Sequence, residues 1–245
     1  MENNNFDQSR EQKIIKTPEK WGFKDEFKEY LLLLASKGPI ALEASKKYPE
    51  SIELSQNFHE TLNKMRVDTK DGFERWAFMG IKEDKRSILL PTIPIKGAKD
   101  HVPSKTMVKM INWAKTKFGI INIFGDIHSH PSGRLHLIDH KIPFRNKHKL
   151  IEGFSFGDLY GLIAQRDRYL MMVVSGDFNI LACKAKESQE LKVGSIFTQN
   201  EFEILWKKKM GFSDYLEINL AIAEKHKLVI YQGRKNKRLT KIFPK

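Results

Sequence analysis

The chain has 245 residues, 40% hydrophobic and 11% aromatic, enough to bury one substantial core with material left for a second small unit or decorated ends. Cys183 is its one cysteine, which excludes an internal disulfide and thiolate zinc sites, and no apolar run approaches the roughly 20 residues of a membrane span. The first residues lack the basic and apolar regions of a secretory signal, so a folded cytoplasmic protein is expected; a formal charge of +13 predicts attraction to acidic partners, protein or nucleic acid, without choosing between them.

Residues 1–20 are polar and rich in Asn, Gln and Lys, as expected of a tail. Phe27, Tyr30, Leu31 and Leu34 recur at helical spacing ahead of Gly38, predicting a helix over 25–36 that docks on the core, with partner binding as the alternative. Ile52, Leu54, Phe58, Leu62 and Met65 form an apolar stripe and predict a helix over 51–65. After the Asp71-Gly72 turn come strands over 73–81 and 87–95, the second carrying Pro91 and Pro94 as an edge or irregular end would. Ser104 suits the cap of a helix reaching Phe118, with Val108, Ile111 and Ala114 facing inward. The β-branched run from Gly119 to Phe124 predicts a buried strand over 119–128, and Ser155 opens another helix.

Tyr169–Val174 and Phe178–Cys183, parted by Ser175-Gly-Asp177, read as a hairpin. Helices over 199–210 and 213–225 follow, then a closing hairpin, 228–231 with 239–243, around a basic tip at 233–238. From 51 to 185 the order α, β, β, α, β, α, β, β is a layered α/β arrangement.

Chemistry concentrates in two stretches, Phe124-Gly-Asp-Ile-His-Ser-His-Pro-Ser-Gly133 and Phe154-Ser-Phe-Gly-Asp158. Side chains alternate across a strand, so His128 and His130 share a face, and Pro131 and Gly133 then turn the chain. Asp158 is a candidate third ligand. Two imidazoles and a carboxylate, with a fourth position left to water, are the donor set of a catalytic rather than a structural zinc site. A His-x-His pair alone is more often a structural or surface feature than a catalytic one; Pro131, Gly133 and Ser155-x-x-Asp158 in the right order carry the reading.

These residues resemble the motif of the JAMM (MPN-type) zinc metalloproteases: His-x-His-Pro, a spacer, Ser-x-x-Asp, and a Glu far upstream. The upstream residue lies among Glu60, Glu74 and Glu83, and Glu74 is chosen because Phe73-Glu-Arg-Trp-Ala-Phe-Met-Gly80 has the form of the family's early strand. The resemblance covers 51–185 and implies a JAMM/MPN-like (cytidine-deaminase-like) fold, a central mixed sheet flanked by helices. Residues 1–50 are then a tail and docking helix, and 186–245 a basic α+β extension.

It also implies Zn2+ on His128, His130 and Asp158, Glu74 as general base and acid, and Ser155 as oxyanion donor as well as helix cap. The expected reaction is amide hydrolysis of a protein or peptide without a covalent intermediate, typically after the C-terminal glycine of ubiquitin or a ubiquitin-like protein. One departure stands out. The family has about six residues between Pro and Ser, whereas positions 132–154 intervene here, 23 residues (154 − 131), an extension that costs only ~1 kcal/mol in loop closure. Its body, 134–154, holds five Lys/Arg, two acids and His136, His140 and His148, and reads as a flap over the metal or as a solvated loop. Other classes remain open: a non-catalytic MPN-like scaffold, or a nucleic-acid-associated protein similar to the RadC-like branch.

Overall fold

Hydrophobic alternation along the chain resolves into one mixed sheet with helices on both faces. The computed structural model describes Leu31 and residues 48–82, 88–89, 95–98, 104–131, 153–165, 167–189 and 215–245. In chain order the elements are β1 (Ser51–Ile52), α1 (Gln56–Asp68), β2 (Arg75–Lys82), β3 (Ile88–Leu89), β4 (Ile95–Lys96), α2 (Ser104–Phe118) and β5 (Ile120–His130). Then come α3 (Phe156–Ala164), β6 (Leu170–Ser175), β7 (Phe178–Lys184), α4 (Lys186–Gln189), α5 (Tyr215–His226), β8 (Leu228–Arg234) and β9 (Leu239–Phe243). The nine strands run β1-β9-β8-β7-β6-β5-β2-β3, with β4 also on β2. Among the described residues no helix is long and apolar enough to cross a membrane.

Among the described residues β5 and β6 are the one parallel pair, His130 beside Ser175 and Gly125 beside Leu170, joined by a crossover through α3. Gly125 is needed where they meet, because a Cβ there would fall 2.5 Å from the Leu170 side chain and 2.8 Å from its carbonyl oxygen.

One face packs against α1: Phe58, Leu62 and Met65 join Leu31, Tyr48, Met79, Phe124, Ile127, Met172 and Tyr231 in a buried cluster. The other face carries two separate clusters. Trp76, Phe78 and Ile120 lie with Ala114 of α2, while Met171, Val173, Ile180, Ala182 and Ile230 lie with Leu159 and Leu162 of α3 and Ile218 and Ile222 of α5. Between them runs β5. Cross-strand partners project from the same face, and Asp126 and His128 pair with Phe78 and Trp76 on one side and with Met171 and Val173 on the other. The seam between the clusters is therefore polar: Asp126, His128 and His130.

Several expected boundaries move. Ser51–Ile52 is not the start of a helix but pairs with Thr240 and Leu239 of β9; the helix begins at Gln56, after the Ser55 side chain has accepted from Phe58 N at 3.3 Å. Of the expected 87–95 strand, the described positions 88–89 and 95 are strand, in β3 and β4, each antiparallel to β2. Ser104 is the first residue of α2, not its cap. Val108 points outward, 55% exposed, while Ala114 is buried. β8 and β9 add to the central sheet beyond β7, so the described part of 186–245 shares the core. Leu31, within the expected 25–36 helix, is helical and buried. The expected tail, the 199–210 helix and positions 134–152 of the insertion, with its three histidines, lie outside the described residues.

Candidate metal centre

His128 and His130 end β5, both buried, on the face that the seam leaves polar. Asp158 arrives from the first turn of α3, and two local devices bring it there. Ser155 caps the helix: its hydroxyl accepts from Asp158 N at 3.3 Å, and Asp158 Oδ2 accepts from Ser155 N at 2.6 Å, a reciprocal capping box. One residue earlier, Asn219 of α5 holds the Phe154 backbone with both ends of its amide, accepting from Phe154 N at 2.7 Å and donating to its carbonyl at 3.0 Å. The chain thus re-enters the fold at a fixed point.

The three side chains close into a triangle. His128 Nε2 lies 2.9 Å from Asp158 Oδ1, His130 Nε2 lies 3.2 Å from Asp158 Oδ2, and the two Nε2 atoms are 3.1 Å apart. Bonds of about 2.0–2.1 Å to a tetrahedral ion would set ligand atoms about 3.3 Å apart, so the triangle is within a few tenths of an ångström of closing on one. Two imidazole nitrogens facing each other at this distance, with a carboxylate beside both, are a donor set that a cation would satisfy. This buried group could hold a metal ion, and among the described residues it is the one cluster of its kind.

The charges agree with the geometry. Burial alone would lower the His128 pKa, but Asp158 beside it, helped by Glu74 and Asp126, raises it to about 9. Burial likewise works against an ionised Asp158, yet the two imidazoles hold it well below the usual carboxylate range.

Glu74 stands one residue before β2, buried, its backbone bonded to the β4 side through Ala98 O and Gly97 N, both at 2.9 Å. Arg75 pairs with Ser129 and Trp76 with His128, so continuing the register sets Glu74 opposite His130 and on the metal face, where its charge is felt by His128. On the opposite face Ser129 locks this register. Its hydroxyl accepts from Arg75 N at 3.0 Å and bonds the Thr69 hydroxyl at the end of α1. Arg75 in turn donates to the carbonyls of Phe73, Glu74 and Asp68 and to Asp71.

Reading the sequence had not singled out Asp126, Trp76, Arg168 or Asn219. Asp126 sits one layer below His128, buried; its Oδ2 accepts from Trp76 Nε1 at 3.0 Å and lies 3.6 Å from Arg168 Nη1. The signal was available in the alternation that picked out the histidines, since Asp126 is two residues before His128 and Trp76 two after Glu74.

The chain is thus a mixed α/β protein with a buried His, His, Asp group, on one face of its sheet, suited to a metal ion. No protein-family model, curated protein or solved structure matches it.

Proposed function

We propose that the protein is a zinc-dependent peptidase or isopeptidase of the JAMM kind. The observation that carries this reading is the convergence of His128 and His130, at the end of β5, with Asp158, from the helix inside the crossover that follows, with all ligand atoms within 4.8 Å of one another. Imidazole donors favour zinc over magnesium or calcium, which take oxygen ligands. Held by His128, His130 and Asp158, zinc would supply a Lewis acid able to polarise a carbonyl and to acidify water near neutral pH.

The chain's own residues do the rest. Glu74, on the metal face, takes a proton from the attacking water and delivers it to the leaving amine. Ser155 orients Asp158 through the helix cap and donates a hydrogen bond from its hydroxyl to the developing oxyanion, a contact worth about 3 kcal/mol. Trp76, Asp126 and Arg168 form the floor beneath His128. The resemblance suggests a substrate bond following the C-terminal glycine of a ubiquitin-like protein, and the presence of all three ligands disfavours a silent scaffold.

The test begins with metal analysis of the purified protein, where about one zinc per chain is expected and His128→Ala should abolish it. Glu74→Gln should keep the zinc and lose about 100-fold or more in turnover of a fluorogenic Gly-Gly amide, as removal of a general base does. Zinc content unchanged in His128→Ala would refute the ligand set; unchanged turnover in Glu74→Gln would refute the role of Glu74.

A further inference from the structure

A single cross-strand row links the candidate metal centre to the basic end of the chain. His130 is paired with Ser175, Ser175 with Phe178, and Phe178 with Arg234. Partners in register project from the same face, so Arg234 rises from the face that carries His128 and His130, three strand spacings or about 14 Å away. Its guanidinium lies over the Phe178 ring, 6.0 Å from the centroid.

Arg234 begins a turn, continuing through Lys235, Asn236, Lys237 and Arg238, in which all five residues are exposed. None of its four cations is ion-paired among the described residues, whereas Lys241 further along β9 pairs with Glu50. The turn is also stiff. Lys235 N donates to Asp177 O at 2.6 Å, Lys237 N to Arg234 O at 3.0 Å, and Asn63 of α1 donates its amide to Asn236 Oδ1 at 2.8 Å. Asn236 takes φ 59°, and the strands close so tightly at Gly233 that a Cβ there would lie 2.5 Å from Arg238 O. Four cations on a braced turn are pre-organised for an anionic partner in a way that cations on a floppy end are not.

We propose that the β8–β9 tip docks an acidic stretch of the polypeptide whose amide bond is cut at the metal centre; this rests on the peptidase reading above. The spacing of about 14 Å corresponds to about four or five residues of extended chain between scissile bond and acidic stretch. A protein ligand is favoured over nucleic acid because, among the described residues, the four cations share one turn, an edge and a face with a candidate hydrolytic site, and the ring seen with them, Phe178, already lies under Arg234 rather than in a row of stacking aromatics.

The test compares two variants of equal charge change: Arg234, Lys235, Lys237 and Arg238 all replaced by Gln, and Lys115, Lys117, Lys225 and Lys227, exposed at the other end of the sheet, all replaced by Gln. Two fluorescent probes are titrated by anisotropy, an octaglutamate peptide and the same peptide carrying a C-terminal hydroxamate behind a spacer of about five residues. Tip neutralisation should weaken octaglutamate about tenfold and the control variant less than about twofold. With zinc bound, the hydroxamate probe should bind the parent protein at least about tenfold tighter than octaglutamate, and tip neutralisation should weaken it about tenfold. Equal weakening by both variants, no gain from the hydroxamate in zinc-loaded protein, or selective loss of a single-stranded DNA octamer instead of the peptide would each overturn the proposal. Absence of zinc from the parent protein would instead overturn the peptidase reading, and the octaglutamate comparison would still judge the tip.

Discussion

At the scale of single residues, His226 is where burial has a pH consequence. It ends α5, a position where the helix dipole would favour a proton, yet burial, with Lys225 adding to it, lowers its pKa to about 4. An unfolded histidine titrates near about 6.5. Between those values the unfolded chain takes up a proton that the folded chain refuses, so stability is complete above about 6.5 and falls as the pH drops toward about 4. The loss should be on the order of 2–3 kcal/mol. Urea unfolding at pH 6.5, 5 and 4 should show this leg in the parent protein and a flatter profile over the same window in His226→Asn; identical profiles would remove His226 as the cause.

At the scale of elements, the crossover from β5 to β6 carries Asp158, the third member of the candidate metal group, and its placement depends on where the chain re-enters the fold. Asn219→Ala removes both bonds to the Phe154 backbone and leaves a buried N–H and C=O to find new partners. The expected cost is about 1–3 kcal/mol in stability, together with about tenfold weaker metal binding in a chelator competition, because Ser155 and Asp158 follow directly. Stability lost with metal affinity intact would confine Asn219 to a packing role. That dependence also explains which parts could be read in advance. The Ser155 cap, the paired histidines and the strands of the β6–β7 hairpin are written in local spacing, and the three ligand-type residues do meet. β1 could not be read, because Ser51 and Ile52 are strand only by virtue of β9, nearly the whole described chain away. The outward Val108 has no local marker either, and Asn219 serves a residue that only the tertiary fold brings to it.

At the scale of the whole molecule, a bound ion would couple parts of the fold that otherwise touch weakly. The two clusters on the metal face are separate, one under α2 and one under α3 and α5, and the polar seam of β5 lies between them. A cation at His128, His130 and Asp158 ties that seam to α3, so ion binding is folding free energy for the domain. An ion present at about 1,000 times its dissociation constant adds about 4 kcal/mol, which for a chain of this size raises the melting temperature by roughly 8–16 °C. Stripping the metal with a chelator should lower the midpoint by that amount, and readdition of zinc should restore it. His128→Ala should melt at one temperature whether or not zinc is present. A chelator-insensitive midpoint in protein shown to contain zinc would mean that the ion sits elsewhere, since an ion closing β5 on α3 cannot be removed without loosening both.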